Sequence, residues 1–187
     1  MQLLVNNLLQ GINLYLIGMM GAGKTTIGRL LALELGYSFV DTDEVIVQAA
    51  GCTINEIFAE SGEATFRRLE TEVLSHICAH TRLSIATGGG IVLNQKNWSY
   101  LHHGLIVWLD APVELLYNRL AEDKTRPLLQ DPDPKGKLQS ILEQRQKLYA
   151  EADLQIKLRE GETPEKITQR ILEQIPSVLK NPVSADG

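Results

Sequence analysis

Apolar residues recur along this chain in two alternating rhythms. Ile12, Leu14, Tyr15, Leu16 and Ile17 form a short, nearly continuous apolar run with β-branched and aromatic members, the pattern of a strand buried on both faces in a parallel sheet. Ile27, Leu30, Leu31 and Leu35 then repeat at helical spacing, and Gly36 supplies a stop. The alternation continues, predicting further strands over 38–40, 83–87, 105–109 and 154–158. Between and after them, helices are predicted over 53–60, 63–80, 94–102, 112–122, 137–150 and 164–175, with Pro112 and Pro164 in first turns where a missing N–H is harmless. Five strands alternating with helices specify an α/β fold with a five-stranded parallel sheet.

Two segments interrupt that rhythm. The first, about 43–70, opens with carboxylates and carries Phe58, Phe66 and Arg67; the second, about 122–135, is rich in Asp, Pro and charge and encloses Thr125-Arg126-Pro127-Leu128-Leu129. Insertions of this kind commonly supply substrate specificity and a mobile lid. The small, polar tail 181–187 is expected to be disordered, and there is no internal repeat.

The junction of the first strand and helix carries the sharpest chemical signal. Gly18-Met19-Met20-Gly21-Ala22-Gly23-Lys24-Thr25 has glycine at the first and sixth positions, where backbone must approach a ligand, followed by Lys and a hydroxyl residue. Such a loop directs successive N–H groups and the positive helix end at phosphates, with Lys24 reaching the β and γ phosphates and Thr25 ligating magnesium. The alternative is a glycine-rich turn with no ligand. Asp41-Thr42-Asp43 ends the second strand, on the edge of an open parallel sheet where ligands bind. One carboxylate could hold magnesium through water while the other accepts a proton from an attacking hydroxyl; the alternative for Asp43 is an N-cap of a following helix.

Thr87-Gly88-Gly89-Gly90 ends the third strand, and three glycines there suit close backbone approach to a substrate or γ-phosphate, or else a merely flexible turn. Phe66-Arg67-Arg68-Leu69-Glu70 sets an aromatic beside a guanidinium, suited to a ring bearing a carboxylate. The same residues also read as a solvated helix face with Arg67 and Glu70 paired at i, i+3. Arg126 and Arg145 are ambiguous alone, Arg126 being the stronger catalytic candidate because it lies in the expected lid.

Composition narrows the function classes. A length of 187 residues at 44% hydrophobic supports one core, so the whole of 1–187 is expected to be a single domain. A net charge of -5 gives no general footprint for nucleic acid and favours a small-molecule substrate. Cys52 and Cys78 lack metal-ligand spacing with the four histidines, as expected of a reduced cytosolic protein, and His102-His103 reads as an exposed helix end. Residues 1–10 have no basic region and resemble neither a secretion signal nor a transit peptide, and no apolar run approaches the roughly 20 residues that span a membrane.

Taken together, Gly-Met-Met-Gly-Ala-Gly-Lys-Thr, Asp-Thr-Asp, Phe-Arg-Arg-Leu-Glu, Thr-Gly-Gly-Gly, Thr-Arg-Pro-Leu-Leu, and Arg145 followed by Leu148-Tyr149 resemble the motifs of the shikimate kinase family. The match runs from about Asn13 to about Ile175. The resemblance implies a nucleoside-monophosphate-kinase-like three-layer α/β/α fold, with a shikimate-binding insertion and a lid over ATP. The implied reaction makes shikimate 3-phosphate from shikimate and ATP in aromatic amino-acid biosynthesis, in a cytoplasmic monomer with Mg2+ as cofactor. By the same resemblance Arg67 and Arg145 hold the shikimate carboxylate, Asp43 and the Gly89 backbone bind ring hydroxyls, and Phe58, Phe66, Gly88 and Gly90 complete the substrate set. Met20, Gly21, Ala22, Gly23, Lys24, Thr25 and Thr26 surround ATP, with Arg119 and Pro164 flanking adenine and Arg126 reaching the transferring phosphate. Thr25 and Asp41 take the metal, and Asp43, Lys24 and Arg126 form the catalytic set. Glu162-Thr163 stands where some relatives carry an arginine before the position of Pro164, which leaves nucleotide affinity and base selectivity open at the adenine end. A gluconate kinase on the same fold is the neighbouring alternative, against which Arg67, Arg145 and the triple glycine argue. A noncatalytic relative is expected to have lost Lys24, Asp43 or Arg126, and all three are present.

Overall fold

The computed structural model describes residues 8–121 and 131–179. Its five strands are β1 (Leu14–Ile17), β2 (Ser38–Asp41), β3 (Leu83–Ala86), β4 (Leu105–Asp110) and β5 (Leu154–Lys157). All neighbours are parallel in the order β2-β3-β1-β4-β5, with Leu14 in register with Ser84 on one side and Leu105 on the other. The apolar runs explain that order: β1 is buried along its whole length and β4 nearly so, and they occupy the centre, whereas β2 at one edge is partly exposed.

The helices are α1 (Lys24–Leu35), α2 (Thr42–Ala50), α3 (Ile54–Ile77), α4 (Gln95–Leu101), α5 (Val113–Leu120), α6 (Pro134–Tyr149) and α7 (Pro164–Val178). They complete the three-layer α/β/α arrangement, with α1 packed against α7, α2 against α3 and α5 against α6. Because every strand is parallel, the loops after β1, β2 and β3 leave the sheet on one edge, and that edge carries the site.

Several boundaries differ from the sequence expectation. α2 was not anticipated: it buries only Thr42 and Ile46, too little to print a helical period on the sequence. The helices expected over 53–60 and 63–80 are continuous as α3 except at Gly62, whose φ 78 and ψ 170 break the helix in the middle. Pro112 stands just outside α5 as its N-cap residue, α6 begins at Pro134 behind the Asp133 cap, and α7 continues through Pro176. A short 3-10 turn at Ile91–Leu93 follows the triple glycine. His102 and His103 lie exposed at the end of α4 as expected, and Cys52 and Cys78 are free thiols. Among the described residues no helix is long and apolar enough to cross a membrane. Arg126, most of the expected lid and the tail 181–187 lie outside the described residues.

Candidate active site

The phosphate loop is shaped by backbone demands that only glycine meets. Gly18 has φ 138, and a Cβ there would stand 2.7 Å from the Leu109 carbonyl oxygen; Gly23, the N-cap of α1, has φ 92. No side chain caps α1 and its first turn holds no acid, whereas Asp41, Thr53, Asn94, Asp133 and Thr163 cap other helices with their side chains. The first N–H groups of α1 are thereby left facing the cleft with the positive end of the helix dipole, a ready anion site.

Cations surround that site. Lys24, 9% exposed, donates from Nζ to the Gly18 and Met19 carbonyl oxygens at 2.8 Å each, which folds it over the loop. Arg119, in the last turn of α5, donates from Nη1 to the Gly21 and Ala22 carbonyl oxygens at 3.2 Å each. Thr26 is exposed at the start of α1, and Pro164 opens α7 on the same sheet edge.

Asp41 takes the capping role that was open for Asp43. Its Oδ1 accepts from the Asp43 and Glu44 backbone N–H groups at 3.0 and 3.4 Å, and its Oδ2 accepts from Thr25 Oγ1 at 2.7 Å. Three donors thus fix one carboxylate beside the phosphate loop, and Asp43 is left in the first turn of α2 with its carboxyl turned to the glycines. A Cβ on Gly88 would meet Asp43 Oδ1 and Glu70 Oε1 at 2.9 Å each; one on Gly89 would lie 3.5 Å from the Met20 nitrogen and 3.6 Å from Arg145 Nη1. A Cβ on Gly90 would run into the Arg67 guanidinium. The cleft that results, about 310 Å³, is lined by Met20, Lys24, Thr25, Asp41, Asp43 and Gly88, among others.

The reading of Arg67 and Glu70 as a solvated pair is corrected here. Glu70 is wholly buried and takes Arg67 Nη1 on Oε2 at 2.9 Å, while Arg67 is only 20% exposed. Burial pushes the Glu70 carboxyl above its ordinary range, Arg67 partly opposes that, and Asp43 adds to it. Phe66 lies buried, its ring centroid 5.2 Å from the Arg67 guanidinium and 4.8 Å from the Phe58 ring, which is 38% exposed. Phe66 therefore supports Arg67 from below, and Phe58 is the more accessible of the two rings.

Two residues here had no role of their own in the sequence reading. Glu70 was legible only as a partner of Arg67, and Tyr149 only as part of a motif. Tyr149, fully buried and stacked on Trp108 at 5.8 Å, donates from its hydroxyl to the Gly89 carbonyl oxygen at 2.6 Å and lies beside Arg145. Thr42 Oγ1 accepts from the Gly88 N–H at 3.1 Å, which ties the start of α2 to the same loop. Neither buried anchor has a sequence signal beyond a polar residue at a helix position that packing makes internal.

A phosphate cradle and the carboxylates of Asp41 and Asp43 thus line one cleft, with Arg67 and Arg145 against the neighbouring glycines. The sequence model of the family described as Shikimate kinase matches residues 20–176. The chain belongs to the shikimate kinase family. A shikimate kinase of Nostoc sp. strain PCC 7120 is 65% identical over 180 residues, covering 96% of this chain and 99% of that protein. A solved structure of shikimate kinase from Acinetobacter baumannii in complex with shikimate aligns with TM-score 0.88 at 41% identity, covering 95% of this chain and 99% of that one. Shikimate kinase from Aquifex aeolicus aligns with TM-score 0.77 at 36% identity, covering 89% and 97% respectively. The shikimate kinase fold, with its five-stranded parallel sheet, is the fold described above.

Proposed function

We propose that this chain transfers the γ-phosphoryl group of ATP to the 3-hydroxyl of shikimate, giving shikimate 3-phosphate and ADP for aromatic amino-acid biosynthesis. The observation that carries the reading is the uncapped N-terminus of α1 opening into the same cleft as Asp43, with Arg67 and Arg145 against the glycines that floor it. An anionic ring acid approaching anionic ATP needs separate cations to hold each partner, since repulsion would otherwise misplace the acceptor hydroxyl.

Arg67 and Arg145 hold the shikimate carboxylate, over a wall made by Phe58 and Phe66. Asp43 and the Gly89 backbone orient the ring hydroxyls, with Gly88 and Gly90 allowing the ring to approach. Asp43 sets the 3-hydroxyl in line and accepts its proton as the O–P bond forms and the bond to ADP breaks. Lys24 leaves the carbonyls of its own loop for the phosphate oxygens, while the N–H groups from Met20 to Thr26 bind the polyphosphate. Arg119 and Pro164 flank the adenine, and Arg126, from the lid, stabilises charge on the transferring group.

The donor set fits Mg2+. Among the described residues no cluster of three or more His, Cys, Asp or Glu forms a metal cage, as suits an ion held mainly by phosphates and water. Thr25 Oγ1 and the fixed Asp41 carboxylate would hold it, and when bound it supplies neutralisation of phosphate charge. The chain acts as a cytoplasmic monomer in this reading.

A coupled ADP-release assay with ATP, magnesium and a panel of shikimate, gluconate and nucleoside monophosphates tests the reading, with Lys24→Ala as the contamination control. Turnover confined to shikimate is expected; turnover on another acceptor, or none by a folded, ATP-binding sample, would sink it.

A further inference from the structure

Arg67 is gripped by two carboxylates of its own helix, and they hold different edges of the guanidinium. Nη1 donates to the wholly buried Glu70. Nε and Nη2 both donate to a single oxygen of Glu63, Oε1, at 3.3 and 3.2 Å, and the Glu63 side chain is 63% exposed. Two parallel donors on one edge form the fork that a carboxylate engages with both of its oxygens. Glu63 fills that fork with one oxygen only, at long distances.

We propose that Glu63 is an internal competitor for the substrate carboxylate, occupying the Nε and Nη2 edge of Arg67 until shikimate displaces it. The inference rests on the reading of Arg67 as a carboxylate clamp. Spacing creates the device: Glu63, Arg67 and Glu70 stand at i, i+4 and i+7 of one helical stretch and so share a face. The non-helical Gly62 starts a new stretch of helix at Glu63, whose carboxylate is favoured there by the dipole even when released from Arg67. The two partners differ in what leaving would cost. Glu70 is sealed from water and cannot part from Arg67 without stranding a buried charge, whereas Glu63 passes directly into solvent.

The arrangement also sorts ligands. An anion offering one oxygen gains nothing over Glu63, while a carboxylate that brings two oxygens gives each donor an acceptor of its own in place of the one they share. Glu63 thereby determines specificity and affinity without touching the reacting atoms, and it keeps the Arg67 fork ordered between turnovers.

Calorimetric titration of the full chain with shikimate, paired with steady-state kinetics, tests the proposal. Glu63→Gln is expected to lower the shikimate Kd by about two- to fivefold, the range an exposed i, i+4 ion pair supports, with turnover at saturating shikimate unchanged. In an Arg67→Lys background, where the two-donor edge no longer exists, the same substitution should change nothing. An unchanged or raised Kd for Glu63→Gln overturns the proposal, as does an equal gain in the Arg67→Lys background, which would show only a diffuse negative field. Arg67→Lys alone binding shikimate as tightly as the parent would instead overturn the clamp reading of Arg67, and the competitor with it.

Discussion

Gly88 and Gly90 are glycine for two different neighbours and not for backbone freedom, since neither has a positive φ. Gly88 makes room for the Asp43 and Glu70 carboxyl groups and Gly90 for the Arg67 guanidinium, whereas a Cβ on Gly89 would stand in ordinary contact with the phosphate loop. Gly90→Ala should therefore displace Arg67 alone: the shikimate Kd is expected to rise at least about tenfold, the worth of one charge-assisted hydrogen bond, with ATP affinity unchanged in parallel titrations. Glu70 yields a prediction of another kind. Its folded-state carboxyl is raised above 4.5 by burial, so the folded chain binds that proton more tightly than the unfolded one. The stability this gives is complete below the ordinary value and is lost as pH rises through the raised one. Glu70→Gln keeps an acceptor for Arg67 and deletes the titration, so the parent Tm should fall relative to the variant as pH climbs above 4.5. Parallel Tm curves would show that Glu70 does not change its proton in this interval.

Elements were legible where burial is one-sided or complete. The five strands follow from apolar runs, and α1 from its period and terminal glycine, because the core dictates both. The site was legible in its loops, where Gly18, Gly23, Lys24 and Thr25 have fixed spacing, and illegible in its buried anchors. Glu70 is a charged position of α3 that reads as surface and Tyr149 closes α6 as one more aromatic, and only their burial and their bonds to Arg67 and Gly89 reveal them. α2 stayed hidden because its cap, Asp41, was weighed as chemistry and its apolar face is small. The break in α3 was foreseen as a gap between two helices, and its cause is backbone: φ 78 with ψ 170 at Gly62 is a region that essentially only glycine populates. Gly62→Ala is expected to destabilise by about 1–3 kcal/mol and lower Tm by roughly 2–10 °C in calorimetry. An unchanged Tm would mean that α3 straightens through the break instead of enduring the strain.

At the scale of the molecule, the two ligands of the proposed reaction are held by different parts of one sheet edge. The phosphate loop and α1 grow from central β1, whereas α2 and α3 follow edge strand β2 and carry Asp43 and Arg67. The loop after β3, which lies between those strands, touches both halves, since Gly89 approaches the Met20 nitrogen and Gly90 approaches Arg67. Besides Thr42, which holds the Gly88 N–H, one residue distant in sequence anchors it: Tyr149, at the end of α6, donates to the Gly89 carbonyl and packs on Trp108 of β4. Tyr149→Phe preserves the stacking and removes the one hydroxyl, leaving the Gly89 carbonyl without that donor at a cost of about 1–3 kcal/mol. In the proposed reaction Gly89 orients the acceptor hydroxyl beside the phosphate loop, so a shift of its carbonyl should misplace the hydroxyl and the loss should fall mainly on turnover. The expected result is kcat reduced about tenfold, with the Kd values for shikimate and ATP little changed. A variant that instead weakens one ligand and keeps kcat would assign Tyr149 to that ligand's half alone, through Arg145 beside it on the shikimate side or through the phosphate loop on the other.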